Sequence, residues 1–358
     1  MREPITIVGG GLAGLTLGIG LRQRGVPVTL WEAGRYPRHR VCGEFISGRG
    51  QSSLARLGLL SALQSTGVYS ATSTAFFAGN TIFPVRPLPE AALCVSRFVV
   101  DEWLAREFQR LGGELRPGER WRGEFGEGIV RASGRRAEPV ENIWPHRKRG
   151  WRLFGLKVHA RGVKLAADLE MHFVPSGYVG LCRLASGEVN ICGLFRSETT
   201  APDLAVCRPR HRRGWRDWLG GPAGSALRSR LADAQFDEDS FCSVAGLSLR
   251  PQQAVQLNEC CIGDALTMIP PVTGNGMSMA FESAELAIEP LVEFSQGNLA
   301  WARARQQIAL GCDTKFTRRL RWAAWLQWAL FRPPARSALL FLAVHSEWLW
   351  RGLFGRTR

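Results

Sequence analysis

The sequence predicts an α/β fold: a parallel-sheet nucleotide domain, an antiparallel sheet inserted into it, and a helical C-terminal tail. Three observations carry this. A strand, a glycine turn and a helix follow one another over residues 5–21. Segments such as Glu170-Met171-His172-Phe173-Val174 and Glu188-Val189-Asn190-Ile191-Cys192 alternate with the period of strands that have one covered face. The stretches that open at Gly276 and run through the tail carry apolar residues at helical spacing.

The first element is the β-branched run Ile5-Thr6-Ile7-Val8. Gly9-Gly10-Gly11-Leu12-Ala13-Gly14 follows, and Leu15, Leu17, Ile19 and Leu21 continue as a helix. A second strand, Val26 to Leu30, ends at Trp31-Glu32-Ala33. This is G-x-G-x-x-G in its strand–turn–helix setting, with an acid about 20 residues on. Gly9 permits the tight turn, Gly11 the approach of a pyrophosphate, and Gly14 the packing of helix on strand. The helix N-terminus, through Leu12 and Ala13, offers unpaired N–H groups to phosphate. A purely structural turn would need neither the flanking strand and helix nor Glu32. An acid at position 32 fits an adenosine ribose without a 2′-phosphate, which leaves NAD or FAD.

A second cluster separates the two. Cys261-Ile262 delivers Gly263-Asp264 to a strand end, where a carboxylate can accept hydrogen bonds from a ribityl chain. Pro270-Pro271 forces an extended approach, and Thr273-Gly274-Asn275-Gly276-Met277 opens a helix. The positive end of that helix suits the anionic edge of a reduced isoalloxazine. FAD is the expected cofactor.

Here the chain resembles a known family. Gly263-Asp264-Ala265 with Pro270-Pro271 and Gly274-x-Gly276 resembles the GD motif of the para-hydroxybenzoate hydroxylase superfamily, and Ser96-Arg97-Phe98-Val99-Val100-Asp101 its SR helix. The resemblance places Arg97 close to the cofactor. Arg40-Val41-Cys42-Gly43-Glu44 is similar to the CG segment of the geranylgeranyl reductase-like branch, to which flavin-dependent halogenases are related. It implies a GR2/PHBH-type Rossmann-like domain with the flavin lying against an antiparallel substrate sheet. Three departures bear on the reaction. The reductases' Tyr-x-Trp-x-Phe-Pro gives way to Tyr178-Val179-Gly180-Leu181-Cys182, the tryptophan halogenases' Trp-x-Trp-x-Ile-Pro is absent, and Ala132-Ser133-Gly134-Arg135 replaces the DG motif.

On this reading residues 1–70, 92–136 and 240–300 form a discontinuous FAD domain. Residues 71–91 and 137–239 form the substrate domain, with a basic loop at Trp144-Pro145-His146-Arg147-Lys148-Arg149, and 301–358 a helical tail. Trp322, Trp325 and Trp328 recur at i, i+3 and i+6 on the first tail helix. Two roles are open for them: core against the flavin domain, or an arginine-fringed surface that touches a membrane or captures a greasy substrate.

The 358 residues include nine cysteines without C-x-x-C spacing, which points to free thiols, with no metal site or disulfide framework. No signal peptide and no apolar run near the roughly 18 residues of a spanning helix is visible. The expected location is the cytoplasm, free or at the inner face of the membrane. The net charge of +15 is scattered over arginines, thickest at residues 208–213 and 318–358, and no nucleic-acid module accompanies it.

The expected chemistry is oxygen-dependent hydroxylation of a hydrophobic metabolite, lipid or aromatic, free or carrier-bound, which the resemblance routes through a flavin C4a-hydroperoxide. NAD(P)H or a partner reductase would supply electrons. Reduction of a lipid double bond and halogenation are the alternatives, and a non-catalytic flavin protein the alternative class. Cys42, Gly43, Lys157 and His159 are the candidate catalytic positions, with His172 a further titratable group of the sheet. Cys42 also fits as a small residue beneath the flavin. Gly9, Gly11, Leu12, Ala13, Gly14, Glu32, Ala33, Arg40, Arg97, Gly263, Asp264, Pro271, Gly274, Asn275, Gly276 and Met277 are the candidate cofactor contacts.

Overall fold

Two sheets organise the computed structural model, which describes residues 2–135, 151–185, 187–198 and 214–357. The basic loop at 144–149 and the arginines at 208–213 lie outside the described residues.

The smaller sheet is parallel throughout. Its order is β14 (Cys260–Cys261), β8 (Ile129–Arg131), β1 (Ile5–Val8), β2 (Val28–Glu32), β7 (Glu114–Pro117). Helix α1 (Leu12–Gln23) covers it, packed between α4 (Arg97–Arg110) and α7 (Gly276–Ser295). Burial on both faces explains the near-continuous apolar strands: Ile5, Ile7 and Leu30 are fully buried. Two short helices, α2 (Gly48–Arg56) and α3 (Leu60–Gln64), extend the same core.

The larger sheet is mostly antiparallel. It runs β13 (Gln235–Ala245), β9 (Trp151–Arg161), β12 (Val189–Glu198), β11 (Gly177–Arg183), β10 (Leu169–Val174), β4 (Tyr69–Ala78), β6 (Arg86–Cys94), β3 (Phe45–Ile46), with β5 (Thr81–Ile82) paired to β4. The β10–β4 pair is parallel. Strand β3 belongs to this sheet although it lies inside the first 70 residues, and β13 belongs to it on both sides of residue 240.

Period-two alternation gives this sheet two faces. On β9, Phe154, Leu156, Val158 and Ala160 point one way into a core capped by α5 (Trp215–Leu219) and α6 (Ala226–Arg230). Lys157 and His159 point the other way, and the ladder register carries that face across the sheet. His159 stands opposite Asn190, then Cys182, Leu169 and Thr74. Lys157 stands opposite Cys192, then Gly180, Met171 and Phe76.

The tail is three helices: α8 (Trp301–Leu330), α9 (Pro333–His345) and α10 (Glu347–Thr357), packed on one another. A buried ion pair ties α8 to α7: Arg319 Nη1 and Nη2 donate to Glu282 Oε1 and Oε2 at 2.7 and 2.9 Å. Trp325 and Trp328 remain 44% and 52% exposed, so they face outward, whereas Trp350 is buried.

Candidate active site

At one end of the crevice the glycine turn is locked by close approach. Gly9 has φ 115°, and a Cβ there would lie 2.3 Å from the Ala132 carbonyl oxygen; one on Gly14 would lie 1.9 Å from the Gly9 oxygen. Gly11 is different. Only the Arg97 Nη2 atom comes within 4 Å of its missing Cβ, at 3.9 Å. Gly11 is also the N-cap of α1 and supplies no side-chain cap, so the first-turn N–H groups, including those of buried Leu12 and Ala13, face this space.

Glu32 closes β2 as expected, and its carboxylate holds three protein donors. Its Oε2 accepts from Gly10 N at 2.8 Å, and its Oε1 from Gly34 N at 2.7 Å and Arg38 Nη1 at 2.6 Å. Burial alone would raise its pKa; the Arg38 bond and charge, with the two N–H donors, bring it below the ordinary value. Ala33, the next residue, is exposed.

Three guanidiniums converge nearby. Arg97 Nε and Nη2 hold Asp101 at 2.7 and 2.8 Å. Arg38 leaves Nε and Nη2 buried without a hydrogen-bond partner among the described residues. Arg40 has its pKa lowered by burial and by the charges of Arg38 and Arg97. Buried, unpaired donors in a positively charged concavity beside an uncapped helix start suit a dianionic pyrophosphate. The residues present therefore fit the phosphate end of FAD.

At the other end Gly263, at φ 59°, packs on Ala13 and brings Asp264 beside α1. Asp264 is accessible to solvent yet enclosed by protein mass, which places it in the wall of a deep crevice. Its pKa is pushed up to about 6 by burial, with Arg97 and Arg135 acting in the opposite direction. Pro271 opens a single turn ending at Gly274, φ 65°, against which the Phe45 ring lies flush: a Cβ on Gly274 would sit 2.0 Å from Phe45 Cζ. Asn275 is the N-cap of α7, and Ser47 Oγ donates to its Oδ1 at 2.9 Å. Gly276 begins α7, and nothing lies within 4 Å of its missing Cβ; Met277 is buried behind it. An uncapped 20-residue helix thus presents its positive end to open space, as an anionic ring edge requires.

Between the crevice and the larger sheet lies a cluster that unites Lys157 and His159. Glu44, at φ 59°, is fully buried. Its Oε2 is 2.6 Å from His159 Nε2, and its Oε1 is 3.4 Å from Lys157 Nζ and accepts from Arg97 N at 2.9 Å. Lys157 Nζ in turn meets His39 Nδ1 at 2.9 Å. Burial would raise the Glu44 pKa, but the His159 hydrogen bond and the Lys157 charge bring it below the ordinary value. Burial, Lys157 and His159 together push His39 down to about 4. The donors of His39, Glu44 and His159 lie within 4.8 Å of one another, a spacing a metal could use, but Lys157 already ion-pairs with the carboxylate.

Cys42 and Gly43 are on the same loop. The Cys42 carbonyl accepts from Asn190 Nδ2 at 2.9 Å, and burial raises its thiol pKa. Gly43 and Phe45 reach into a cavity of about 170 Å³ floored by Thr74, Phe76, Leu169 and Met171 on the Lys157–His159 face. Val272 and Thr273 close its crevice side, and Leu326, Leu330, Leu340 and Trp350 of the tail close the other. The lining is overwhelmingly apolar.

His172 is not part of this site. It faces the opposite side of the sheet, opposite Val179, Gly193 and Leu156 in register, where it is buried, stacks on Phe77 at 4.4 Å and pairs with Glu170 at 2.8 Å. Sequence reasoning did not single out Arg38, and it placed Glu44 and Phe45 only within a candidate pocket segment, Cys42 to Ile46, without the partners of Glu44. The local signal for them was the Arg38-His39-Arg40 repeat and an acid directly after Cys42-Gly43.

Residues 2–138 match the family model described as an FAD binding domain. A curated relative, "Conditioned medium factor receptor 1" of Dictyostelium discoideum, is 24% identical over 83% of this chain. The chain spans only 64% of that relative's length. Among solved structures, a triple mutant of the flavin-dependent brominase Bmp2 superposes with a TM-score of 0.67 over 98% of this chain and 97% of its own, at 19% identity. Halogenase PltM gives 0.71 over 98% and 80%, at 15% identity. At these identities the likeness is one of fold, and it extends from the glycine turn through the helical tail.

Proposed function

We propose that this chain, whose residues 2–138 match a family model described as an FAD binding domain, is an FAD-dependent oxidoreductase of the para-hydroxybenzoate hydroxylase type that inserts oxygen into a small, apolar substrate. The observation that carries the choice of substrate is the apolar cavity abutting Gly43, Phe45, Val272 and Thr273, near the start of α7. FAD, when bound, supplies two-electron redox chemistry and the activation of O₂.

The protein's part is positional. The N–H groups of α1 with Arg38, Arg40 and Arg97 would hold the pyrophosphate, Asp264 the ribityl hydroxyls, and the Gly276 end of α7 the ring. Phe45, Leu169, Met171 and the tail leucines exclude water from the substrate's place. Next to that place, Glu44 hydrogen-bonds His159 Nε2 through Oε2 and faces Lys157 Nζ through Oε1.

The test is single turnover of the reduced holoprotein with ¹⁸O₂ and a panel of phenols and isoprenoids, with product mass as readout. One ¹⁸O atom in product supports oxygenation, and product formed in amounts matching the reduced flavin excludes the non-catalytic class. Product saturated without O₂ would transfer the site to double-bond reduction. Halogenation is the second reading, favoured by full-length fold likeness to a brominase and a halogenase. Bromide or chloride in the same assay would then appear in product in place of ¹⁸O.

A further inference from the structure

We infer that the outer face of the C-terminal helices docks on an anionic lipid bilayer. On α8 the residues Arg318, Arg321, Trp325 and Trp328 follow at steps of three, four and three, which is one stripe of a helix, and Arg332 follows just past the helix end. All five are exposed, and the Arg332 guanidinium lies 4.1 Å over the Trp328 ring. The next two helices continue the apolar display: Phe341 is 57% exposed, Leu342 53% and Trp348 74%.

Large apolar groups at such exposure cost solubility unless something covers them. Charge says what does. Residues 301–358 hold ten arginines and one lysine against only Asp313 and Glu347. Tryptophan flanked by arginine along a helix face is the composition of a helix lying in the headgroup region, where the indoles reach the acyl boundary and the guanidiniums meet lipid phosphate. No described helix is long and apolar enough to cross a membrane, so the contact is one of surface. An acidic soluble protein would satisfy the charge, but nothing in that charge calls for five large apolar side chains in water.

The inner faces of the same helices wall the cavity through Leu326, Leu330, Leu339, Leu340 and Trp350. A lipophilic substrate dissolved in the bilayer would therefore meet the cavity wall from its outer side. That extension rests on the function proposed above; the docking itself does not.

The experiment is flotation of the full-length, FAD-loaded protein with vesicles of phosphatidylcholine alone or with phosphatidylglycerol added, across a salt series. The expected result is binding to phosphatidylglycerol vesicles that weakens as salt rises, and weak binding to phosphatidylcholine. Trp325→Ala/Trp328→Ala, at two exposed positions, should weaken it about tenfold or more while circular dichroism and flavin content are unchanged. No binding to phosphatidylglycerol vesicles, or equal binding by the double variant, would overturn the inference. So would retention on an immobilised acidic acyl carrier protein without vesicle binding, or a solution dimer that shields these tryptophans from a quencher. Turnover plays no part in the assay, so a protein that proved not to be an oxygenase would still bind.

Discussion

Glu44 Oε2 and His159 Nε2 stand 2.6 Å apart although the two residues are 115 positions apart in the chain, and this bond joins the loop that bears Cys42, Gly43 and Phe45 to the larger sheet. Glu44 also holds Lys157, so its carboxylate compensates two buried basic groups at once. Glu44→Gln leaves buried Lys157 without its anionic partner, and His159 with only Glu188, whose Oε2 lies 3.8 Å from Nδ1. Removing one member of a buried pair costs roughly 3–5 kcal/mol, and a loss of that order is expected in urea unfolding of the apoprotein. A loss below about 1 kcal/mol would mean the cluster is solvated.

The same cluster sets an acid sensitivity. His39 falls from about 6.5 when unfolded to about 4 when folded, so between those pH values the unfolded chain binds the extra proton. Its contribution is complete above pH 6.5 and is lost as pH falls toward 4. His39→Gln should flatten the fall in melting temperature across that window relative to the parent. Identical slopes in the two proteins would refute the assignment.

Asp264 behaves with the opposite sign. Its folded pKa, about 6, lies above the unfolded value of 3.8, so the folded apoprotein gains stability as pH falls from 6 toward 4. At neutral pH the ionised carboxylate is a cost, which the proposed contact with the ribityl hydroxyls would account for. Asp264→Asn should leave the apoprotein at least as stable at pH 7.5 while weakening FAD, read by flavin fluorescence titration. Unchanged FAD affinity would put the ribityl chain elsewhere.

Two glycines should part company under the same substitution. Gly14→Ala drives a methyl into the Gly9 carbonyl and should cost both folding and flavin. Gly276→Ala meets no protein atom within 4 Å, so the apoprotein should melt as the parent does. The new methyl instead narrows the space before α7, and FAD should bind at least several-fold more weakly. Equal FAD affinity in Gly276→Ala would show that the ring lies away from this helix.

What could be read from the chain was local. Gly9 to Gly14 and Gly263 to Gly276 declare themselves because a turn's chemistry is written in consecutive residues. Lys157 and His159 were also visible as polar residues in an apolar strand, but their common partner was not, because only tertiary pairing brings Glu44 to them. Register decided the rest. Lys157 and His159 share a face with Met171, and His172 does not, a distinction of one residue that alternation alone cannot orient. The tail's tryptophan spacing predicted a helix, and its outward face followed only once Leu326 and Leu330 were seen to turn inward.

The order of segments in the smaller sheet bears on how the protein is made. Strand β14 adds to β8, and β8 to β1, so the crevice closes only when residues 260–277 join what residues 5–14 began. On the proposed placement of FAD, a nascent chain can form the phosphate turn early, yet it has no ring site until most of its length has been synthesised. Flavin capture would thereby be a late checkpoint on the ribosome's product: yellow colour would mark chains whose two distant glycine clusters have found each other, and chains terminated before residue 277 should purify colourless.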